Sequence, residues 1–162
     1  LEVSEDGIDD IVTMNLEADG KCKEFISLNI ENQNCPLAEP HQNSGNYHIQ
    51  MAGKDVYKYV MQKIPAVIQK SLDKANMTID DIDYFIPHQA NLRMIEALTA
   101  RIKIAPEKVL HNIEHYGNMS AVSIPCVISE KIKSGELKTP STVLLSAFGA
   151  GMTSAGAIIK LR

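Results

Sequence analysis

Apolar residues recur at helical spacing through residues 54–74, where Val56, Val60, Ile64 and Leu72 fall on one side. This pattern predicts a long amphipathic helix with a single buried face. Pro65 lies inside the pattern, so we expect it to kink the helix or to shift its start. The same spacing predicts helices over residues 91–102 and 120–134.

Short apolar runs between polar segments predict the strands. These runs cover residues 11–14, 25–28, 84–86, 109–113, 143–148 and 155–161. Asp19-Gly20 is typical of a turn between the first two runs, and the polar residues 31–47 are predicted to form a surface loop. Thr78 and Asp81 have the spacing of a capping box, and Pro106 suits the first turn of a short helix.

The order of these elements predicts the fold class. Strands that alternate with helices indicate an α/β domain, with a mixed sheet and helices packed on it. The small residues Gly149-Ala150-Gly151 between the last two strands indicate an antiparallel hairpin. A length of 162 residues suffices for one domain with its own core. The opening Leu1-Glu-Val, without a Met, is typical of a strand already under way, so we expect residues to precede it.

Composition narrows the function classes. The formal net charge of -4 argues against nucleic acid as the main partner, because a phosphate backbone requires a basic face. Cys22, Cys35 and Cys126 form no C-x-x-C pair, which disfavours a zinc or redox motif, and their odd number favours a reducing cytoplasm. Cys126 lies on the apolar side of its predicted helix, so we expect it in the core. No apolar run approaches the ~20 residues that span a membrane.

Candidate chemistry lies at two predicted strand ends, each followed by a polar loop and a helix. His88 is at the first and Asn118 is at the second, directly after Gly117. The positive end of the following helix should disfavour a second proton on His88. A neutral imidazole and a side-chain amide can both donate to a developing oxyanion. Each residue also has a simpler interpretation, since His88 could be a helix cap and Asn118 a turn residue.

Three motifs in combination favour the catalytic interpretation. Ile86-Pro-His-Gln-Ala-Asn-Leu-Arg93, Tyr116-Gly-Asn-Met-Ser120 and Ala147-Phe-Gly-Ala-Gly-Met152 resemble the C-terminal motifs of β-ketoacyl-acyl-carrier-protein synthase III. The resemblance covers the chain from about residue 47 and implies a thiolase-like fold of two similar halves. Residues 1–162 would be the C-terminal domain of a condensing enzyme. The resemblance also implies a cytoplasmic homodimer.

The resemblance implies a role for particular residues. His88 and Asn118 would stabilise the enolate formed when malonyl-acyl-carrier protein loses CO2, and the backbone N–H of Ala150 would complete an oxyanion hole. Asn91 would bind the pantetheine arm and Phe148 would wall the malonyl pocket. Three basic residues could form a face for the acidic carrier protein, or could simply be solvated helix positions: Lys58, Arg93 and Arg101.

The family's nucleophilic Cys lies at a helix N-terminus in the N-terminal half, and no cysteine here has that context. We therefore expect this chain to need that half as a partner and to be inactive alone. The substrates would be acyl-coenzyme A and malonyl-acyl-carrier protein, with no cofactor or metal. The alternatives are a polyketide- or quinolone-type condensing enzyme, a Cys-His-Asn hydrolase, and a non-catalytic interaction domain. Cys22 in a β-like run and Cys35 before a proline suit the hydrolase poorly.

Overall fold

A four-stranded mixed sheet forms the centre of the molecule. The computed structural model describes residues 10–29 and 48–162. The sheet contains strands β1 (Ile11–Ala18), β4 (Tyr84–Pro87), β5 (Ser141–Gly149) and β6 (Thr153–Leu161), in the order β1-β6-β5-β4. Strands β4 and β5 are parallel, whereas β6 is antiparallel to both of its neighbours. The predicted mixed sheet and the predicted terminal hairpin are therefore confirmed.

A separate antiparallel pair is formed by β2 (Ile26–Asn29) and β3 (His48–Met51). Between β1 and β2 a 3₁₀ segment covers Gly20–Phe25, and the Asp19 side chain caps it by accepting from the backbone N–H of Lys21. The predicted loop at residues 31–47, with Cys35, lies outside the described residues, as do the first nine residues.

One face of the sheet is covered by helix α1 (Gly53–Ala75), which runs continuously through Pro65. Pro65 therefore does not shift the start of the helix. Gly156 of β6 allows the close approach, because an added Cβ would lie 2.9 Å from the Ser71 hydroxyl oxygen. That hydroxyl donates to the Gly156 carbonyl oxygen at 3.0 Å, so α1 and β6 are joined by both packing and a hydrogen bond.

The opposite face is covered only in part. Helix α4 (Ser123–Ser134) packs over β4 and β5, where Ile86, Val127 and Val143 form a small core. Beyond α4, the same face carries the apolar side chains of β1. Met14 and Leu16 are 56% and 68% exposed, so this half of the face lacks an apolar cover within the described residues.

Helix α2 (Leu92–Ile102) packs against α1, and its buried residues Met94, Ile95 and Leu98 confirm the predicted period. Asn91 caps it, as its side-chain oxygen accepts from the backbone N–H of Met94 at 2.9 Å. The predicted capping box at Thr78 and Asp81 is also present. Within the described residues, no helix is long and apolar enough to cross a membrane.

Two local predictions were wrong, and one predicted helix begins three residues later than expected. The strand predicted over residues 109–113 reduces to a single bridge between Val109 and Phe85, followed by the short helix α3 (Ile113–Tyr116). The physical reason is that the backbone N–H of Asn112 is taken by a side chain, as described below, and cannot join a strand ladder. The helix predicted over residues 120–134 is a 3₁₀ turn, Ser120–Val122, followed by α4. Cys126 is half-buried on α4 and lies outside the core.

Candidate active site

His88 is positioned by three elements at the end of β4. Its backbone N–H donates to the Ser146 carbonyl oxygen of β5 at 2.7 Å, which extends the parallel pairing by one residue. Its Nδ1 atom lies 2.8 Å from the Ser123 hydroxyl oxygen at the start of α4. Its ring meets the Phe148 ring edge to face, with centroids 5.2 Å apart. The imidazole is therefore held on both its polar and its apolar sides.

The contacts of Ser123 favour one tautomer of His88. The Ser123 side chain is buried, and its oxygen accepts from the backbone N–H of Gln89 at 3.4 Å. A hydroxyl that accepts one hydrogen bond there can donate its own hydrogen to His88 Nδ1. In this arrangement Nε2 carries the ring hydrogen and is the donor that a ligand would meet.

Burial lowers the pKa of His88, because it disfavours the charged imidazolium. The direction agrees with the prediction of a neutral ring, but the cause differs. We expected the positive end of a helix to act on the ring, whereas the loss of solvent is the cause found in the structure. The ring is therefore suited to donate a hydrogen bond at neutral pH.

Asn118 lies in the loop that follows α3. Gly117 ends that helix with φ of +65°, a left-handed conformation that favours glycine. The Asn118 side-chain oxygen accepts from the backbone N–H of Ser120 at 2.8 Å. This contact fixes which end of the amide is which, so the side-chain NH2 group points away as a potential donor. Asn118 itself is exposed.

A cavity of about 570 Å³ lies beside His88. It is bounded by β1, the end of β5, the start of β6, the start of α4 with the 3₁₀ turn before it, and His88 after β4. Its walls include His88, Phe148, Leu16, Ile124 and Ala155, so they are largely apolar. Ser120, two residues after Asn118, also lines it. Polar donors at an apolar cavity act more strongly on a developing charge than they would in water.

Ala150 and Asn91 occupy the turn and the helix cap that their sequence positions predict. Ala150 is exposed in the turn between β5 and β6, and its carbonyl oxygen accepts from the Thr153 hydroxyl at 3.3 Å. Gly151 next to it has φ of +113°, which a residue with a side chain rarely adopts. The oxygen of the Asn91 amide is used in capping α2, which leaves its NH2 group to donate.

The three predicted basic residues are dispersed. Lys58 of α1 pairs with Asp55 at 3.6 Å. Arg101 lines a groove between the C-terminal ends of α1 and α2. Arg93 is exposed in the first turn of α2, just after Asn91. Arg93 is thus the basic residue that the chain places nearest in sequence to the cap and to His88.

Two residues near the site were missed from the sequence. Ser123 and Gln89 are both buried, and both hold the His88 loop. Gln89 lies within the sequence motif that contains His88, but nothing in the sequence indicated that its side chain contacts Asn112. Among residues 10–29 and 48–162, no group of three or more His, Cys, Asp or Glu side chains could hold a metal ion.

Sequence comparison relates the chain to a known family. Residues 72–161 match the family model described as 3-oxoacyl-[acyl-carrier-protein (ACP)] synthase III C terminal. A beta-ketoacyl-[acyl-carrier-protein] synthase III from Microcystis aeruginosa is 39% identical over 154 residues, covering 94% of this chain and 46% of that protein. The protein of the same name from Trichodesmium erythraeum is 41% identical over 161 residues, covering 98% and 48%. The chain thus spans about half the length of these relatives.

Solved structures share the fold. A 3-oxoacyl-[acyl-carrier-protein] synthase III from Aquifex aeolicus superposes with a TM-score of 0.80 at 32% identity, over 94% of this chain and 44% of that one. The priming beta-ketosynthase of the R1128 polyketide pathway superposes with a TM-score of 0.84 at 26% identity, over 96% and 46%.

Proposed function

This chain belongs to the 3-oxoacyl-[acyl-carrier-protein] synthase III family, and from that premise we propose that it forms the C-terminal half of an acyltransferase that starts fatty-acid synthesis. The reaction is the decarboxylative Claisen condensation of an acyl-coenzyme A with malonyl-acyl-carrier protein. The observation that carries the proposal is His88, whose pKa burial lowers and whose Nδ1 is held by Ser123, at the wall of a largely apolar cavity.

In this mechanism, each half of the enzyme provides different catalytic residues. The acyl group moves from the coenzyme A sulfur to a cysteine of the other half, and the thiol of coenzyme A leaves. The malonyl group then breaks its bond to the carboxylate carbon, releasing CO2. The electron pair stays on the α-carbon and is shared with the thioester oxygen as an enolate. That carbon attacks the acyl thioester, and the cysteine thiolate leaves.

His88 and Asn118 would stabilise the negative charge on the enolate oxygen. His88 Nε2–H and the Asn118 NH2 group would both donate to it. The other polar atom of each side chain is already held, because His88 Nδ1 contacts the Ser123 hydroxyl and the Asn118 side-chain oxygen accepts from the backbone N–H of Ser120. Removing one such donor from a preorganised site costs ~10²–10³ in rate. The backbone N–H of Ala150 would bind the oxyanion of the acyl group during its own addition step.

Substrate binding uses the residues around these donors. Asn91 would donate from its NH2 group to the pantetheine arm, since its oxygen already caps α2. Phe148 would form one wall of the malonyl pocket while holding the His88 ring in place. Arg93, with Lys58 and Arg101 farther away, would attract the acidic carrier protein.

The partner of this chain in the enzyme is the N-terminal half of the same protein, which bears the cysteine. The apolar half-face around Met14 and Leu16 suits such a partner, because exposed contiguous apolar surface marks an interaction site. The cavity beside His88 opens along that half-face, since Leu16 lines it. A cytoplasmic homodimer remains a prediction from the family resemblance.

A second candidate is the priming step of a polyketide pathway. The likeness to the R1128 priming ketosynthase favours it, and its chemistry is the same decarboxylative condensation. The two candidates differ in the carrier protein and the acyl primer, so a comparison of acetyl-coenzyme A with longer acyl primers separates them.

The proposed function is tested on the full-length enzyme with His88→Ala and Asn118→Ala. Both variants should lose malonyl decarboxylation by ~10²-fold or more, because each removes a donor to the enolate. Both should keep acetyl transfer to the cysteine, measured as thiol-linked radiolabel. His111→Ala is the control, since His111 pairs with Glu114 instead of contacting His88. Loss of acyl transfer with retained decarboxylation would overturn the assignment.

A further inference from the structure

The Gln89 side chain joins the strand end before His88 to the start of α3, the short helix that precedes Asn118. Gln89 is completely buried. Its side-chain NH2 group donates to the Pro87 carbonyl oxygen at 2.7 Å, which lies just before His88. Its side-chain oxygen accepts from the backbone N–H of Asn112 at 3.2 Å. One amide therefore connects the end of β4 to the residue that begins α3.

Asn112 carries this connection forward to Asn118. Its carbonyl oxygen accepts from the backbone N–H of His115 at 3.0 Å, and the single turn of α3 then ends at Gly117. Asn118 is the next residue. Because one turn of helix is short and internally hydrogen-bonded, the position of Asn112 determines the position of Asn118.

A second anchor fixes Asn112 from the other side. Its side chain is buried, and its NH2 group donates to the Glu130 carboxylate of α4 at 2.7 Å. Asn112 is thus held between Gln89 and Glu130. The same helix α4 provides Ser123, which contacts His88. Both His88 and Asn112 are therefore positioned relative to α4.

We infer that Gln89 is a positioning residue for the proposed reaction: it sets the Asn118 amide relative to His88 so that both donors reach one oxygen atom. This inference rests on the proposed function. It extends the proposed function by giving the buried Gln89 side chain, which touches no substrate, the role of setting the distance between the two donors. A displacement of about 1 Å between donor and substrate can cost ~10²-fold in rate, so a small shift of α3 would be measurable.

A double-mutant cycle in the full-length enzyme tests the inference. Gln89→Ala should lower malonyl decarboxylation by about tenfold or more when Asn118 is present. In an Asn118→Ala background, Gln89→Ala should lower the remaining rate by a clearly smaller factor, since only His88 is left to misplace. The same fold loss in both backgrounds would overturn the inference, as it would mean a general structural effect.

Thr99→Val is the matched control for stability. Thr99 is buried on α2 and its hydroxyl donates to the Ile95 carbonyl oxygen at 2.8 Å, away from both loops. This variant should lower Tm, as Gln89→Ala should, without lowering the rate of decarboxylation. An equal rate loss at an equal Tm loss would also contradict a positioning role.

Gln89→Glu gives a second, isosteric readout. A protonated carboxyl can donate to Pro87 and accept from Asn112 as the amide does, whereas a carboxylate cannot donate. Burial raises the pKa of such a carboxyl, and the Glu130 carboxylate beyond Asn112 adds to this. The activity of the variant relative to wild type should therefore rise as pH falls. Because a carboxylate at position 89 would also raise the pKa of His88, imidazole NMR signals report the charge of His88 in the same pH series. A ratio independent of pH over the range in which His88 stays neutral would contradict the inference.

Failure of the proposed function has a different signature. In that case the wild-type enzyme itself would not decarboxylate malonyl thioesters, or His88→Ala would leave the rate unchanged. Failure of the Gln89 inference would leave both of those results intact and change only the cycle with Asn118.

Discussion

The Nδ1 atom of His88 lies 2.8 Å from the hydroxyl oxygen of Ser123, the first residue of helix α4. This contact joins the end of a central strand to the start of the helix that packs on the sheet. The same oxygen accepts from the backbone N–H of Gln89, and its hydrogen can be donated to Nδ1. The contact therefore favours the tautomer with hydrogen on Nε2.

Ser123→Ala should reduce malonyl decarboxylation several-fold while leaving acetyl transfer unchanged. The variant removes a hydrogen bond of ~1 kcal/mol that selects the donating tautomer. Ser129→Ala, at an exposed serine of the same helix, is the control and should retain the wild-type rate. Nitrogen NMR shifts of His88 report the tautomer directly, and an unchanged Nε2–H tautomer in Ser123→Ala would contradict the assignment.

The pH dependence of decarboxylation should reflect the lowered pKa of His88. The neutral ring is the active form, and burial keeps it neutral to lower pH than an ordinary histidine, whose pKa is 6.5. The rate should thus fall at acidic pH with a midpoint below 6.5. Decarboxylation rates measured across a pH series at saturating malonyl substrate give this midpoint. A midpoint above 6.5 would show that the ring is not buried in the working enzyme.

Arg93→Glu should raise the KM for malonyl-acyl-carrier protein several-fold at low salt. Exposed ion pairs contribute only ~0.2–1 kcal/mol, and their effect falls mainly on encounter rate and salt dependence. Use of malonyl-coenzyme A, which lacks the protein surface, should scarcely change. Equal losses with both substrates would indicate that Arg93 holds the site together or binds the coenzyme's phosphates.

Lys138→Glu is a suitable control for Arg93→Glu. Lys138 is exposed, and its backbone N–H donates to the Tyr84 hydroxyl at the start of β4. His88 follows the other end of that strand, so Lys138 lies away from the proposed docking region.

The chain by itself should form no acyl-enzyme with radiolabelled acetyl-coenzyme A. Burial and the neighbouring Asp19 carboxylate raise the pKa of the Cys22 thiol, which disfavours the nucleophilic thiolate. Among the described residues, neither Cys22 nor Cys126 lines the cavity beside His88. Thiol-linked label is measured after gel filtration under denaturing conditions, and a stoichiometric yield would contradict the prediction.

The sequence predicted those parts of the molecule that depend on local patterns. The period of α1 and the hairpin of β5 and β6 follow directly from apolar spacing and glycine positions. The strand expected at residues 109–113 failed because Gln89, far away in sequence, takes the Asn112 N–H. A side-chain contact of that kind has no periodic signal.

The site shows the same division. His88 and Asn118 were identified by motif, since each lies in a short run of characteristic residues after a strand or turn. Ser123 was not identified, because a serine near the start of a helix is usually a cap. Its importance arises only when the sheet brings β4 beside α4 and buries the hydroxyl against an imidazole.

The exposed apolar half-face of β1 has a consequence for how such a polypeptide survives in a cell. In the described part of the chain, β1 is an outer strand of its sheet and carries Met14 and Leu16 uncovered. Outer strands with apolar side chains readily pair with strands of other molecules and aggregate. A partner half that folds first and covers this strand would act as an intramolecular chaperone, so that a polypeptide cut off from it would be prone to precipitation.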